Sequence, residues 1–487
     1  MKHSGSLSSA KRSLLETYLR GRRPPVGSEA TRITRRPTRE PAPLSPAQEQ
    51  IWRREQTLRG EIRPHNECIT IRPSEYLDAA PLEHAFAEVV RRHEIWRTTY
   101  DTVGSQAVQV AQEPADGFPL QIVDLRAARS GAREARLQEL CALGVLRPFD
   151  LRSGPLLRVT LATLSNTEQC IIIFAHLSIV DGVSVYQILP FELASLYNSF
   201  AAGKTSPFGD LPIQYADYAY WHQQFVKSQE AHDQLNYWRQ ELSGGVRNSG
   251  WLHQDMRRAF EPYRGTIRPF TLRDSLRSNL AKFSQSVGAT LFATLAASLG
   301  ALIYGYTGQP AVVLLTPTSG VRKRPEVQGL LGHFLNPVAL RIDFSGDPSF
   351  REILRRTQAA VGAAMAHDEV PLQMLGQALP EITGSDQEEA FSSVGISLQP
   401  KSAGSAEGWR VTSMDADNGG TIWDLYLAFI ESQEGLVGRV QYSSNRFDET
   451  DISRILSDLQ EIMEAMMSDL ESSVTNWLLC LQRNRRV

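Results

Sequence analysis

The stretch "IIIFAHLSIVDGVSVYQIL", residues 171–189, decides the fold around the central motif of this chain. The run that precedes His176 is apolar on both faces, which is typical of a central strand that is buried on both sides. Asp181 and Gly182 follow, and a carboxylate directly before a glycine and a helix-like run often caps backbone N–H groups. The stretch therefore predicts a strand, a polar turn, and a helix that Pro190 kinks or restarts.

Helix-like and strand-like segments alternate along the rest of the chain. The segment "LLRVTLATL" at 156–164 is predicted to pair with the strand at 170–176, and apolar residues at helical spacing predict a helix over 81–93. The other predicted elements are helices at 289–305, 349–365 and about 451–467, and strands at 311–315, 337–344, 424–430 and 435–443. This alternation indicates an α/β fold. The chain has 487 residues, and two lobes are expected because single cores stop growing at about 250–300 residues.

Composition and motifs argue against several functional classes. A net charge of −3 gives no reason to expect nucleic acid as a partner. The segment "AAGKTS" ends like a phosphate-binding loop but lacks its first glycine, and no G-x-S-x-G elbow occurs. The ten histidines are scattered without an H-E-x-x-H pattern, so no metal site is predicted. The four cysteines lie far apart, which is typical of reduced thiols in a cytosolic protein.

One apolar segment, 289–306, has the composition of a membrane helix but not its length. A membrane span needs about 20 apolar residues, and Thr, Ser and Gly interrupt this run. A buried helix is therefore the preferred interpretation, with no membrane contact. The N-terminus has no apolar core of signal-peptide length, and we expect a cytoplasmic protein.

The first 40 residues differ from the rest, with ten lysines and arginines against three acids. The segment 8–21 is predicted to form a short amphipathic helix, and "TRITRR" at 31–36 a short basic strand. One interpretation is a disordered basic tail. The alternative is a helix or β-hairpin docking element for a partner with an acidic tail, in which the docking residues are Arg32, Ile33, Arg35 and Arg36.

A series of motifs between residues 43 and 470 resembles the condensation domains of nonribosomal peptide synthetases, which are related to chloramphenicol acetyltransferase. The motifs occur in the family's order: "PLSPAQEQIW" (43–52), "RRHEIWRTTY" (91–100), "RPFDLRSGPLLRV" (147–159), "AHLSIVDGVS" (175–184), "YADYAYW" (215–221), "GHFLNPVALR" (332–341), "HDEVPLQML" (367–375), and "WDLYLAF" with "YSSNRFD" (423–429, 442–448). One such phrase would be weak evidence, whereas eight in register make the resemblance specific.

The resemblance implies a fold and a set of partners. The fold is a V-shaped monomer, a pseudo-dimer of two chloramphenicol-acetyltransferase-like α/β lobes with a central tunnel. We expect an N-terminal lobe at 41–212, ending in the Gly- and Pro-rich crossover at 201–212, and a C-terminal lobe at 213–487. An acyl carrier or peptidyl carrier protein would deliver the donor thioester on a phosphopantetheine arm, and a small-molecule or carrier-bound acceptor would enter from the other side. No bound cofactor is implied.

The chain departs from the family's H-H-x-x-x-D-G motif at one position. His176 matches the first histidine, but Leu177 stands where the family has its second, the general base or positioning group. Leucine has no lone pair and no proton to give. Because side chains alternate along a strand, Leu177 would face the tunnel and His176 the lobe interior. His176 is therefore either a substitute base or a packed structural residue, and both roles stay open.

The other site residues follow from the same resemblance. Asp181, with Gly182 beside it, would be a structural support for the motif, held by an arginine for which Arg322 and Arg341 are the candidates. The residues expected to line the tunnel are Leu177, Ser178 and Asn336, and Ser178 is a candidate to assist proton transfer.

Three functions are compatible with this pattern. The first is a stand-alone condensation enzyme that joins a carrier-bound peptidyl or polyketide chain to an amine or hydroxyl, for example in chain release during antibiotic biosynthesis. The second is a degenerate module that recruits tailoring enzymes or carrier proteins. The third is other chemistry in the same tunnel, such as dehydration or cyclisation. Loss of the histidine does not by itself exclude the first, because a thioester is already activated.

Overall fold

The computed structural model describes residues 32–38, 41–58, 62–243, 263–379, 394–399, 409–413, 416–432 and 435–476. The strands are β1 (Ala42–Pro43), β2 (Asn66–Arg72), β3 (Thr98–Val103), β4 (Gln106–Ala111), β5 (Leu120–Asp124), β6 (Leu157–Thr163), β7 (Gln169–His176), β8 (Gly265–Phe270), β9 (Ala311–Thr318), β10 (Asn336–Asp343), β11 (Val394–Gln399), β12 (Arg410–Ser413), β13 (Leu425–Ser432) and β14 (Gly435–Ser443). The helices are α1 (Pro46–Thr57), α2 (Ala79–Arg92), α3 (Ser130–Leu146), α4 (Leu189–Ala201), α5 (Tyr215–Phe225), α6 (Gln229–Glu241), α7 (Asp274–Ser286), α8 (Leu291–Thr307), α9 (Phe350–Ala366), α10 (Leu372–Ala378) and α11 (Glu449–Ser468). Each helix and strand predicted between 81 and 467 is confirmed, with small shifts at the ends.

The first sheet has the strand order β12-β2-β7-β6-β5, with β7 in the middle. Every residue of β7 is buried, which confirms the central strand predicted from its apolar faces. One face, carrying Ile171, Ile173 and Ala175, packs in a core with α2 and α4. The other face, carrying Ile172 and Phe174, packs with α3. At the end of β7, successive side chains therefore point to two different faces of the sheet, and each face packs in its own core.

The second sheet has the order β10-β9-β11-β13-β14-β8 and forms the larger core with α6 to α11. The interior of α8 is buried from Ala293 to Ile303, as expected for a core helix. Among the described helices, none by itself has the length and hydropathy of a membrane span. Within the described ranges, α7 and α8 meet that criterion only when taken together as a pair bent by 107°.

The predicted lobe boundary at residue 212 does not separate the two sheets. Strand β12 pairs antiparallel with β2 at the edge of the first sheet, so a segment from far downstream completes the N-terminal lobe. Helix α5 also contributes Tyr215 and Tyr218 to the core of that lobe. The chain therefore leaves the first lobe after α5, returns to its core with the segment 321–334, and returns again at β12. Each segment follows the apolar surface that it buries rather than the chain order.

The basic segment 32–38 is packed against the first lobe and forms no strand, so the predicted basic strand is wrong at these residues. Ile33 is 1% exposed. Arg35 donates to the carbonyl oxygens of Leu211 and Pro212, and Arg36 pairs with Asp217 at 3.1 Å. The predicted helix at 8–21 lies outside the described residues.

Candidate functional site

The site begins where β7 ends, at His176. Its backbone is still extended (φ −77°, ψ 136°), so the side chains of His176 and Leu177 leave opposite faces of the sheet. The His176 imidazole is 2% exposed and contacts the Phe149 ring edge-on. Its Nδ1 lies 2.8 Å from the hydroxyl oxygen of Ser178. His176 therefore points into the lobe, the orientation that the strand alternation predicts.

Leu177 and Ser178 form the first turn after the strand, and they differ in exposure. Leu177 is partly exposed, and its N–H donates to the carbonyl oxygen of His65 at 2.7 Å. Ser178 is 2% exposed, and the hydroxyl of Tyr100 donates to its carbonyl oxygen. Ser178 was expected to line a tunnel, but it is buried against His176. Leu177 is therefore the partly exposed side chain of this turn, whereas Ser178 is buried.

Asp181 accepts hydrogen bonds from three directions. The guanidinium of Arg322 lies 3.1–3.3 Å from both carboxylate oxygens, the N–H of Ser184 donates at 2.7 Å, and that of Phe334 at 3.2 Å. The Asp181 side chain is 0% exposed. Such a charge is stable only when it is paired and hydrogen-bonded. Asp181 thus holds the turn rather than acting on a substrate, and Arg322 is its partner among the two predicted arginines.

Ser184 extends this network to the segment after β9. Its hydroxyl donates to the carbonyl oxygen of Gly332 and accepts from the N–H of the same residue, both at 3.0 Å. The next residue, His333, is buried, and burial lowers its pKa. Its Nδ1 lies 3.0 Å from the carbonyl oxygen of Val180. The turn 180–184 is therefore clamped to 332–334 on both sides of Asp181.

Three further residues predicted for the site lie in different parts of the structure and are described in turn. Asn336 is partly buried, and its amide donates to the carbonyl oxygens of Asp368 and Val370, so its polar groups brace the segment before α10. Arg341 lies in β10 opposite Val313 and is not among the described residues that hydrogen-bond Asp181, so it is not the arginine that holds the motif. Gly182 has room for a methyl group, whose closest neighbour would be Tyr186 at 3.8 Å.

The structure also brings two residues to His176 that the sequence motifs do not single out. Glu55, near the end of α1, lies 2.6 Å from Nδ1 of His65 and 3.5 Å from Nε2 of His176. Burial raises the pKa of Glu55, but its contacts with the two histidines outweigh burial and lower that pKa to about 2. Burial lowers the pKa of His65 to about 4. No periodic pattern joins positions 55, 65 and 176, so only the fold could reveal the cluster.

Glu67 is a third residue that sequence reasoning missed. In the β2–β7 pair it lies opposite Ala175, and directly opposed residues of antiparallel strands share a face. That face is the one from which Leu177 leaves the strand. Burial raises the pKa of Glu67, against the opposing charge of Arg439.

These features define a class of two-lobed α/β proteins. In this class a central strand ends at a polar turn, and an arginine from the other half of the chain holds that turn in place. The family model that describes the condensation domain matches residues 38–486, and the chain belongs to that family. Condensation domains are acyltransferases that form amide or ester bonds in nonribosomal peptide synthetases.

Relatives and solved structures agree with this membership. The chain is 32% identical over 430 residues to chondramide synthase cmdD of Chondromyces crocatus, and it is 31% identical over 467 residues to phosphinothricin tripeptide synthetase PhsB of Streptomyces viridochromogenes. The two matches cover 88% and 94% of this chain, which spans only 11% and 37% of the lengths of those proteins.

Two solved structures share the fold over most of their length. The X-domain from teicoplanin biosynthesis has a TM-score of 0.76 at 24% identity, with 92% of this chain and 99% of that chain covered. The first condensation domain of the calcium-dependent antibiotic synthetase has a TM-score of 0.75 at 18% identity, with 89% and 98% covered. The two-lobed fold predicted from the resemblance is confirmed.

Proposed function

We propose that this chain catalyses condensation: it transfers a peptidyl or polyketide acyl group from a carrier-bound thioester to an amine or hydroxyl acceptor. In this step the acceptor attacks the thioester carbonyl, a C–N or C–O bond forms, and the C–S bond breaks. The phosphopantetheine thiol leaves on the carrier protein and regains the proton that the acceptor loses. The observation that supports the proposal is the complete set of hydrogen bonds around Asp181, which holds the turn beside Leu177.

The energetics allow this reaction without a histidine at position 177. Holding donor and acceptor in line can supply about 7–11 kcal/mol of the barrier. A general base typically contributes about 10²–10⁴-fold, which corresponds to about 3–5 kcal/mol. The larger contribution is therefore independent of the missing imidazole. A neutral amine attacks before it loses its proton, so amines are the favoured acceptors.

The direct test supplies the protein with an acyl-loaded carrier protein and a panel of amines and alcohols, with condensed product detected by mass spectrometry. The proposal expects product with at least one amine, at a rate above that with carrier protein and amine alone. Carrier protein binding without product for any acceptor would contradict it. Loss of one water from the donor, or a cyclised donor without an acceptor, would indicate dehydration or cyclisation instead.

A second candidate function is recruitment of a partner protein. Two observations favour it: Leu177 removes the residue that the family uses as base, and an X-domain that shares the fold at 25% identity was solved as a complex with OxyB from teicoplanin biosynthesis. A recruitment module would bind a carrier protein or a tailoring enzyme and turn over nothing. The same assay, combined with a binding measurement on the carrier protein, separates the two functions.

A further inference from the structure

We propose that Glu55, His65 and His176 form a binding site for a divalent transition-metal ion, with Zn²⁺ as the ion that fits the donor set. One ligand atom from each residue lies within 4.8 Å of the other two. The residues come from α1, from the loop before β2 and from the last position of β7, so an ion here would tie three elements together next to Leu177.

The first argument is the unmet hydrogen-bonding capacity of the two imidazoles. His65 and His176 are 1% and 2% exposed. Within the described part of the chain, neither Nε2 atom has a hydrogen-bond partner. Buried polar side-chain atoms usually have one, so the buried Nε2 of His176 calls for an explanation such as an ion. The His176 Nε2 lies 3.5 Å from the Glu55 carboxylate, which is in the range expected for two ligands of one ion.

The second argument is geometric. Zn–N and Zn–O bonds of about 2.0–2.1 Å in a tetrahedron place neighbouring ligand atoms about 3.3 Å apart. The His176–Glu55 separation already matches this spacing. The His65 Nδ1–Glu55 contact of 2.6 Å is a hydrogen bond. If His65 binds through Nδ1, that contact opens by about 0.7 Å to reach the same spacing.

The third argument is the chemical state of the donors. Two neutral imidazoles and one ionised carboxylate form the set that binds zinc in many enzymes, with a fourth position for water or another small ligand. Nδ1 of His176 lies 2.8 Å from the Ser178 hydroxyl oxygen and accepts from the Ser178 N–H at 3.4 Å, and these contacts orient the ring so that Nε2 lies toward Glu55.

The types of donor set the preference of the site among ions. Imidazole nitrogens favour Zn²⁺ and neighbouring transition metals over Mg²⁺ and Ca²⁺, which prefer all-oxygen sites. The site should therefore discriminate against Mg²⁺.

The test uses the full chain, stripped with a chelator and freed of any affinity tag. Calorimetric titration with ZnCl₂ is expected to show one tight equivalent, absent with MgCl₂, and Co²⁺ should give the visible absorption of a tetrahedral site. His176→Gln, His65→Gln and Glu55→Gln should each weaken Zn²⁺ binding at least about tenfold, and Ser178→Ala about tenfold through its hydrogen bond to the ligand. His232→Gln, at an exposed histidine, is the matched control.

Two results would overturn the proposal: no stoichiometric Zn²⁺ uptake by the unmodified chain, or uptake that the three ligand variants leave unchanged. Far-UV circular dichroism identifies any variant that fails to fold. Glu55→Gln keeps the volume and a hydrogen-bonding oxygen at this position, and Glu55 is only partly buried. If a histidine variant misfolds, the Zn²⁺ affinity of Glu55→Gln is therefore the deciding measurement. The readout is binding of the ion itself, so inactivity of the protein in acyl transfer would leave the result intact.

Discussion

The guanidinium of Arg322 lies within 3.1–3.3 Å of both carboxylate oxygens of Asp181, and it joins the segment after β9 to the turn after β7. The same guanidinium donates to the carbonyl oxygens of Val327 and Leu330 and stacks over the Phe334 ring at 4.3 Å. Arg322 therefore satisfies a buried charge and at the same time fixes the loop that faces it.

Removal of this guanidinium should be costly. In Arg322→Ala, the Asp181 carboxylate would remain buried without its counter-charge, and breaking a buried pair in this way costs about 3–5 kcal/mol. Urea unfolding at pH 7 measures the loss. Arg454→Ala is the control, because Arg454 pairs with Asp451 at an exposed site, where such a pair contributes at most about 1 kcal/mol. Equal losses in both variants would contradict the role assigned to Arg322.

A glycine in the same clamp gives a second, steric prediction. Gly332 has φ of +153°, and a Cβ placed there would lie 2.2 Å from the ring of Tyr215, which is fully buried. Gly332→Ala should lower the free energy of unfolding by more than about 2 kcal/mol, because neither backbone nor ring can move freely in a packed core. Gly329→Ala, where no described atom lies within 4 Å of the added carbon, should change it by less than about 0.5 kcal/mol. A stable Gly332→Ala protein would show that the clamp can open.

The acid side of the stability profile should depend on His222. Its Nδ1 lies 3.0 Å from the Tyr218 hydroxyl and its Nε2 3.1 Å from the carbonyl oxygen of Glu369. Burial lowers the pKa of His222 from 6.5 to about 4. The unfolded chain therefore binds a proton at this residue at higher pH than the folded chain. The contribution of His222 to the free energy of unfolding is fully present above pH 6.5 and is lost as the pH drops toward 4. The loss is about 3 kcal/mol over that range.

The corresponding experiment compares unfolding free energies at pH 7 and pH 4.5. His222→Asn should lose some stability at pH 7 but show a smaller decrease between the two pH values than the unmodified chain. His84→Asn, at an exposed position, should keep the full decrease. An unchanged decrease in His222→Asn would mean that other groups dominate acid unfolding.

The sequence predicts the elements that depend on contacts between residues near in the chain, and it misses those that depend on contacts between residues far apart in the chain. Strand β7 is predictable because burial on both faces leaves a local apolar run, and α9 and α11 because amphipathic spacing is local as well. The pairing of β12 with β2 joins residues 410–413 to 69–72, and no local pattern encodes a contact over that distance.

The site divides in the same way. The resemblance implies that an arginine holds Asp181 and leaves Arg322 and Arg341 as candidates, but only the fold distinguishes between them. Glu55 and His65 lie in segments with no chemical signature, and the fold alone brings them to His176. The basic segment 32–38 was predicted to form a strand because of its composition, yet the burial of Ile33 and the pairing of Arg36 hold it against the first lobe.

Restoring a histidine at the turn should raise acyl transfer. Leu177 is partly exposed, and its backbone N–H donates to the His65 carbonyl, a bond that any non-proline residue can form. Leu177→His should therefore fold and place an imidazole at the position where the family has its second histidine. The rate should rise at least about tenfold with a hydroxyl acceptor, toward the range of about 10²–10⁴-fold typical of general bases, and less with an amine.

Leu177→Gln is the matched control, because glutamine is polar and of similar size but is not a base. Product formation by mass spectrometry, with one amine and one alcohol, gives the comparison. If Leu177→His is no faster than Leu177→Gln with the alcohol, position 177 does not contact the acceptor during the reaction.

The last prediction concerns carrier protein docking at the basic N-terminal segment. Arg32 is exposed and contacts Glu326 at 3.5 Å, whereas Arg36 has only 11% of its side chain exposed and pairs with Asp217. Arg32 is thus accessible to an acidic tail, and Arg36 holds the segment in place. Arg32→Glu should weaken binding of an acidic-tailed carrier protein several-fold at low salt, with little difference at about 0.5 M salt, where charges are screened within a few ångströms.

Arg136→Glu is the control, since Arg136 is also exposed, on α3, and pairs with a glutamate three residues away. It makes the same change in net charge at another surface. Fluorescence anisotropy with a labelled carrier protein measures both affinities. Because charge attraction acts mainly on the association rate, the loss in Arg32→Glu should appear there. Equal effects of the two variants would mean that overall charge, rather than the N-terminal segment, attracts the carrier protein.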